Sequence, residues 1–197
     1  MGPTRRVFLK QAGRLSMLVV TYPIWQPLIA SADIEATPDN GAGPYYVSGA
    51  PVKTNLREPG DHGQPVSVSG KVIHTNGKPL SNSQIEIWHS NNQGNYDMNG
   101  FRYRANVPIS PNGDYQFKTF MPGHYGNRAQ HIHYRISERG NTDLFTQLYF
   151  ENDPLFESNP QKNYTKDPIL QYPQLIRPVQ MKNSELFVYF AIAVDSV

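Results

Sequence analysis

The sequence predicts an all-β fold: a single antiparallel β-sandwich with long loops, preceded by a signal segment. Three observations carry that expectation. Strand-like alternation recurs along the body, with turn residues between the runs. The 197 residues include 17 prolines, 15 glycines and 12 tyrosines, which suits loop-rich β structure better than a helix bundle. Outside the N-terminal segment, no window longer than about ten residues keeps a helical period. The length allows one domain with a real core.

The elements follow in order. Residues 1–32 read as a signal peptide of the twin-arginine type. Arg5 and Arg6 are paired, LSMLVV supplies an apolar centre, and ASA ending at Ala32 is a small-x-small cleavage signal. Pro23, Gln26 and Pro27 interrupt the apolar run, so it is too short to span a bilayer. This predicts the twin-arginine translocation machinery as a partner, cleavage near Ala32 and a periplasmic protein, with a membrane tether as the alternative. Residues 33–64, rich in Gly, Pro, Asn and Asp, read as an extended N-terminal arm. The sandwich occupies residues 65–197. Its strands are predicted in PVSVSGKVIH, SQIEIWH, the end of SPNGDYQFKTF, HIHYRIS, FTQLYF and ELFVYFAIAV. TNGKPL holds an Asn-Gly turn signal after the first. Residues 151–182 are proline-rich and read as a long surface excursion before one final core strand.

Composition also limits the chemistry. The formal charge is +2, but Arg5, Arg6, Lys10 and Arg14 all lie in residues 1–32, which hold no acid. The remaining 14 basic residues face all 16 acidic ones, and no Lys/Arg run stands out, so a nucleic-acid partner has little support. With no cysteine, disulfides and thiolate metal sites are excluded. Any metal must be held by His, Tyr, Asp or Glu.

HIHYRIS places His131 and His133 two residues apart. In a strand both rings face one side, with Cα atoms roughly 6.5–7 Å apart, and Ile132 faces the core. Two surface histidines on an edge strand would read the same way. Tyr125, in the loop MPGHYG feeding this strand, adds a phenol. A phenol ionises near pH 10 and becomes a good ligand only beside a highly charged cation. Two imidazoles and phenolate thus suit ferric iron better than zinc. Tyr96 stands in a second polar loop, NNQGNYDMNG, where simple exposure is the ordinary reading.

Five stretches in order resemble one family, the intradiol ring-cleavage dioxygenases. They are GPYYVSGAP (43–51), SGKVIHTNGKPLSNSQIEIWHSNNQGNYD (69–97), GDYQFKTFMPGHY (113–125), RAQHIHYRIS (128–137) and TQLYFENDP (146–154). The resemblance implies a non-haem Fe(III) held by Tyr96, Tyr125, His131 and His133. It implies Arg128 beside the substrate ring, Gln147 in the pocket, and Pro44 and Tyr45 at its entrance. Tyr125 is the implied mobile ligand. The implied substrates are a catechol-type ring and O2, with cleavage between the two hydroxyl-bearing carbons to a cis,cis-muconate-type diacid. The chain looks closer to compact, single-sandwich members, and homo-oligomers are common in the family. It departs from the pattern at Ala129-Gln130, where the family link commonly contains proline; Gln130 is expected to add a polar group near the metal. His62, His74, His89 and His124 match no ligand, and His124 reads as an exposed loop residue. Two other readings remain: an exported, non-catalytic β-sandwich that binds a metal or partner, and a zinc or copper site using the histidines alone.

Overall fold

Ten strands, β1 (Pro65–His74), β2 (Ser83–Trp88), β3 (Arg104–Val107), β4 (Asp114–Phe120), β5 (His131–Glu138), β6 (Leu144–Phe150), β7 (Ile176–Arg177), β8 (Val179–Lys182), β9 (Glu185–Tyr189) and β10 (Ile192–Val194), form two sheets in a computed structural model. The structure describes residues 34–80, 83–140 and 143–195. The twin-arginine signal reading of residues 1–32 therefore lies outside the described residues. One helical turn, α1 (Pro160–Asn163), and short 3-10 turns lie between β6 and β7.

The first sheet runs β10-β1-β9-β8, with β4 also paired to β1. The second runs β3-β2-β5-β6-β7 and puts β5 at its centre. Alternation decides which side chains meet between the sheets. Val66 and Val68 of β1, Phe117 of β4, Ile85 and Ile87 of β2, and Ile132 and Ile136 of β5 are all buried. Tyr134 of β5 meets the rings of Tyr115 and Phe117 of β4 at 6.1 and 6.3 Å, which joins the two layers. Burying one Ile of this core contributes about 1.5–3 kcal/mol.

The sandwich departs from the antiparallel expectation in three pairings. β1 is parallel to both β9 and β10, and β6 is parallel to β7. No tight hairpin joins these pairs, so no turn fixes their direction. The stretch 185–194, expected as one strand, breaks at Phe190 into β9 and β10. The region 151–182 is more than a surface excursion. It contributes β7 and β8, and it buries Asp153, Phe156, Asp167, Leu170 and Leu175. β3 is only four residues long and alternates polar Arg104 and Asn106 with buried Ala105 and Val107, too short a run to stand out as a strand.

Residues 34–64 run as an irregular strap. Backbone hydrogen bonds tie Ile34 to Thr75, Thr37 to Ala193 and Asn40 to Phe145. The strap thus passes from the first sheet to β6 and across the outer face of the second. That face is the one β5 presents opposite the core.

Candidate metal centre

β5 is hydrogen-bonded on both sides, to β2 and β6, so its side chains have little freedom of register. Ile132 points into the core, and His131 and His133 point outward together, as the alternation predicts. Cross-strand pairing then fixes the neighbours. Arg104, Trp88, His133 and Gln147 form one row across β3, β2, β5 and β6, and Tyr149 pairs with His131. Both histidines are nonetheless almost fully covered, at 3% and 2% exposure. Trp88 stacks flat on His133, with ring centres 4.9 Å apart and planes 4° apart. Gly43 of the strap also packs close to this ring: a Cβ there would stand 3.2 Å from His133 Cε1, and its φ of +69° is one that glycine tolerates best. The edge-strand reading of these histidines is thereby excluded.

Tyr96 completes a triangle with them. Its hydroxyl lies 3.2 Å from Nε2 of each histidine, and the two Nε2 atoms are 3.1 Å apart. His131 Nδ1 donates to Ala129 O at 2.6 Å, which leaves its Nε2 a bare lone pair. Protons cannot then satisfy all three sides, because only the phenol and His133 can supply one each. A cation can. The centre of such a triangle is about 1.8 Å from each corner, so the spacing suits three donors that would share one metal ion.

The electrostatics agree. Burial, aided by the Arg128 charge, lowers His131 to about 4; burial and then His131 hold His133 well below the ordinary imidazole range. Both rings are neutral at pH 7 and keep lone pairs for a metal. Burial pushes the Tyr96 phenol up, and Arg128 and Arg104 oppose that rise. Ionising this phenol in place calls for a strong local cation. Among the described residues, no group of three His, Asp or Glu side chains is placed to hold a metal. The donor that joins the imidazoles is the Tyr96 phenol, which disfavours the histidine-only zinc or copper reading.

Tyr125 stands beside the triangle without joining its hydrogen bonds. Its ring meets Tyr45 edge-on at 5.1 Å and Tyr96 edge-on at 6.1 Å, and it is 40% exposed. It opens a tight turn closed by Arg128 N donating to Tyr125 O at 3.0 Å. Tyr45 stacks on Tyr96 at 4.3 Å and 12°, while Pro44 is exposed between Gly43 and Tyr45. The two tyrosine loops touch through Gly94, whose φ is +83°; a Cβ there would overlap His124 O. Gly94→Ala is expected to destabilise the fold by about 3 kcal/mol, combining left-handed strain with overpacking. A urea midpoint equal to wild type would refute that reading of the contact.

Arg128 is neither a surface residue nor free. Its Nε donates to Asp167 at 2.8 and 3.0 Å, and its Nη2 donates to Gln147 Oε1 and Tyr149 Oη, each at 2.6 Å. Gln147 Nε2 in turn donates to the strap at Asn40 O, 3.1 Å away. Gln130 departs from expectation. Its side chain donates to Pro122 O at 2.7 Å and its N–H to Asp153 at 2.6 Å, so it braces the loop before Tyr125 instead of facing the triangle. A proline could make neither bond. His124 is exposed as expected, and it also contacts the buried Asp153 carboxylate at 3.1 Å. Sequence reading missed Trp88, Arg104, Tyr149 and Asp167 as parts of this site. Tyr149 was within reach, since it shares a strand face with Gln147. Asp167 carried no local signal.

A family model described as Dioxygenase matches residues 42–195, most of the chain. This chain belongs to the intradiol ring-cleavage dioxygenase family. Among curated members, catechol 1,2-dioxygenase 2 of Acinetobacter lwoffii is 33% identical over 152 residues, covering 64% of this chain and 55% of that protein. Chlorocatechol 1,2-dioxygenase of Rhodococcus opacus is 31% identical over 59% of this chain and 57% of its own length. The chain thus spans about half the length of the curated intradiol dioxygenases it matches. Among solved structures, the dioxygenase domain of a dioxygenase–carbohydrate-binding fusion from a cellulolytic Streptomyces aligns with a TM-score of 0.73 and 30% identity. That alignment covers 83% of this chain and 100% of the domain. An intradiol ring-cleavage dioxygenase from Tetranychus urticae shares the fold with a TM-score of 0.69 at 22% identity, over 82% of this chain and 94% of its own.

Proposed function

We propose that this chain cleaves a catechol-type ring between its two hydroxyl-bearing carbons, using O2 and a non-haem ferric ion. The observation that supports this best is the triangle of Tyr96 Oη with the two imidazole Nε2 atoms. Tyr96, His131 and His133 would hold the ion, with Tyr125 as the fourth ligand. When bound, the ion supplies the Lewis acidity that takes up a deprotonated catechol and opens its ring to O2.

The chain's own groups have separable tasks. The Nδ1 bond to Ala129 O orients the His131 ring, and the Trp88 stack orients the His133 ring, so both Nε2 lone pairs are aimed at one point. Tyr125 is 40% exposed and outside the triangle's hydrogen bonds, and as a phenolate it would accept a proton from an incoming substrate hydroxyl. Arg128 offers a fixed positive charge to an electron-rich ring, held in orientation by Asp167, Gln147 and Tyr149. A preorganised donor of this kind is worth about 2–4 kcal/mol of barrier. The strap, through Gly43 and Tyr45, excludes water from the buried side.

Iron-loaded protein should be red-brown and should consume O2 with catechol in equal molar amounts, giving a muconate-type product by ultraviolet absorbance. A coloured protein that consumes no O2 with any catechol of a substituted panel would favour the non-catalytic alternative.

A further inference from the structure

Arg104 is buried at 2% exposure, yet all of its hydrogen-bond acceptors are uncharged. Its Nε and Nη2 donate to Asp97 O at 3.0 and 2.8 Å, Nη1 donates to Tyr45 O at 2.7 Å, and Nη2 touches Met98 Sδ at 3.5 Å. A buried guanidinium whose hydrogen bonds all end on neutral groups, with the Asp97 carboxylate acting on it only through space, is costly, and such groups persist where they do something specific. Both carbonyls it grips belong to the surroundings of one side chain. Asp97 follows Tyr96 in the chain, and Tyr45 carries the ring stacked on Tyr96 at 4.3 Å.

We propose that Arg104 is the positioning residue for Tyr96. It clamps the backbone just after the phenol to the strap residue whose ring lies flat on it, so the plane and reach of the phenol are set from β3. Lys cannot reproduce the fork that spans two carbonyls. The proposal rests on the metal-binding reading of Tyr96.

Its test uses Arg104→Lys and Arg104→Met, with Tyr45→Leu as a variant that leaves the guanidinium in place. In metal-free protein, hydrogen exchange over residues 43–48 and 94–99 should quicken by about tenfold in both Arg104 variants, more in Met than in Lys. After iron loading, the phenolate-to-iron visible band should be displaced in all three variants. Lys should recover part of the wild-type position. Folded Arg104 variants with wild-type exchange and an unmoved band would overturn the proposal. Should the Arg104 variants fail to fold, Tyr45→Leu decides: an unmoved band there means the stack does not set the phenol. A wild-type protein lacking any band would defeat the metal reading instead, while the exchange result would still judge the clamp.

Discussion

Tyr96→Phe is expected to fold normally, to lose iron affinity by about 100-fold or more, and to show no measurable ring cleavage. The substitution removes one oxygen and keeps the ring, so the stack on Tyr45 at 4.3 Å survives. What disappears is the atom 3.2 Å from both Nε2 positions. Partners that merely orient a metal ligand cost 10–100-fold when removed, so loss of a direct donor should exceed that. No third His, Asp or Glu among the described residues is placed to substitute. Metal content after dialysis against a weak chelator, with the visible spectrum of the same sample, checks this. Retained iron and an unchanged band would mean that Tyr96 is not a ligand.

Asp167→Asn should give the largest loss of stability, about 3–5 kcal/mol, as expected when one partner of a buried ion pair is removed. Asp167 is 1% exposed. Its carboxylate accepts from Arg128 Nε, from Ala129 N at 2.8 Å, and from Ile169 N and Leu170 N at 2.8 and 3.1 Å. An amide keeps the shape but loses the charge, and one oxygen becomes a donor facing other donors. The effect should read as a melting temperature lower by about 10 °C. Turnover should fall more than stability predicts, because Arg128 is released from its orientation. A melting point within a degree or two of wild type would show that the Arg128 anchor lies elsewhere.

The parts of the fold legible in the sequence were those with local signals. PVSVSGKVIH and HIHYRIS alternate cleanly, and β1 and β5 fall where that alternation placed them. β3 was lost because four residues, with only Ala105 and Val107 on the apolar side, are too short a run to read as a strand. β7 and β8 were lost because two and four residues carry no readable period. The parallel pairings could not be read, since direction is set by chain return paths and not by local pattern. At the site, the imidazole pair and both tyrosines were visible as residue types in loops and strands. Their supports were not. Asp167 lies 39 residues from Arg128, and only the folded excursion brings the two together.

The strap has a practical consequence. Asn40 to Tyr45, which precede every strand, cover one side of the site, while the proposed donors come from β5 and the loops that carry Tyr96 and Tyr125. Those few residues are therefore an exchangeable cassette. Grafting the corresponding stretch from another member of the family, with Gly43 and Tyr45 kept so that their contacts to His133 and Tyr96 persist, should retailor which ring shapes the proposed site admits, and an affinity tag fused within it should blind an otherwise well-folded protein.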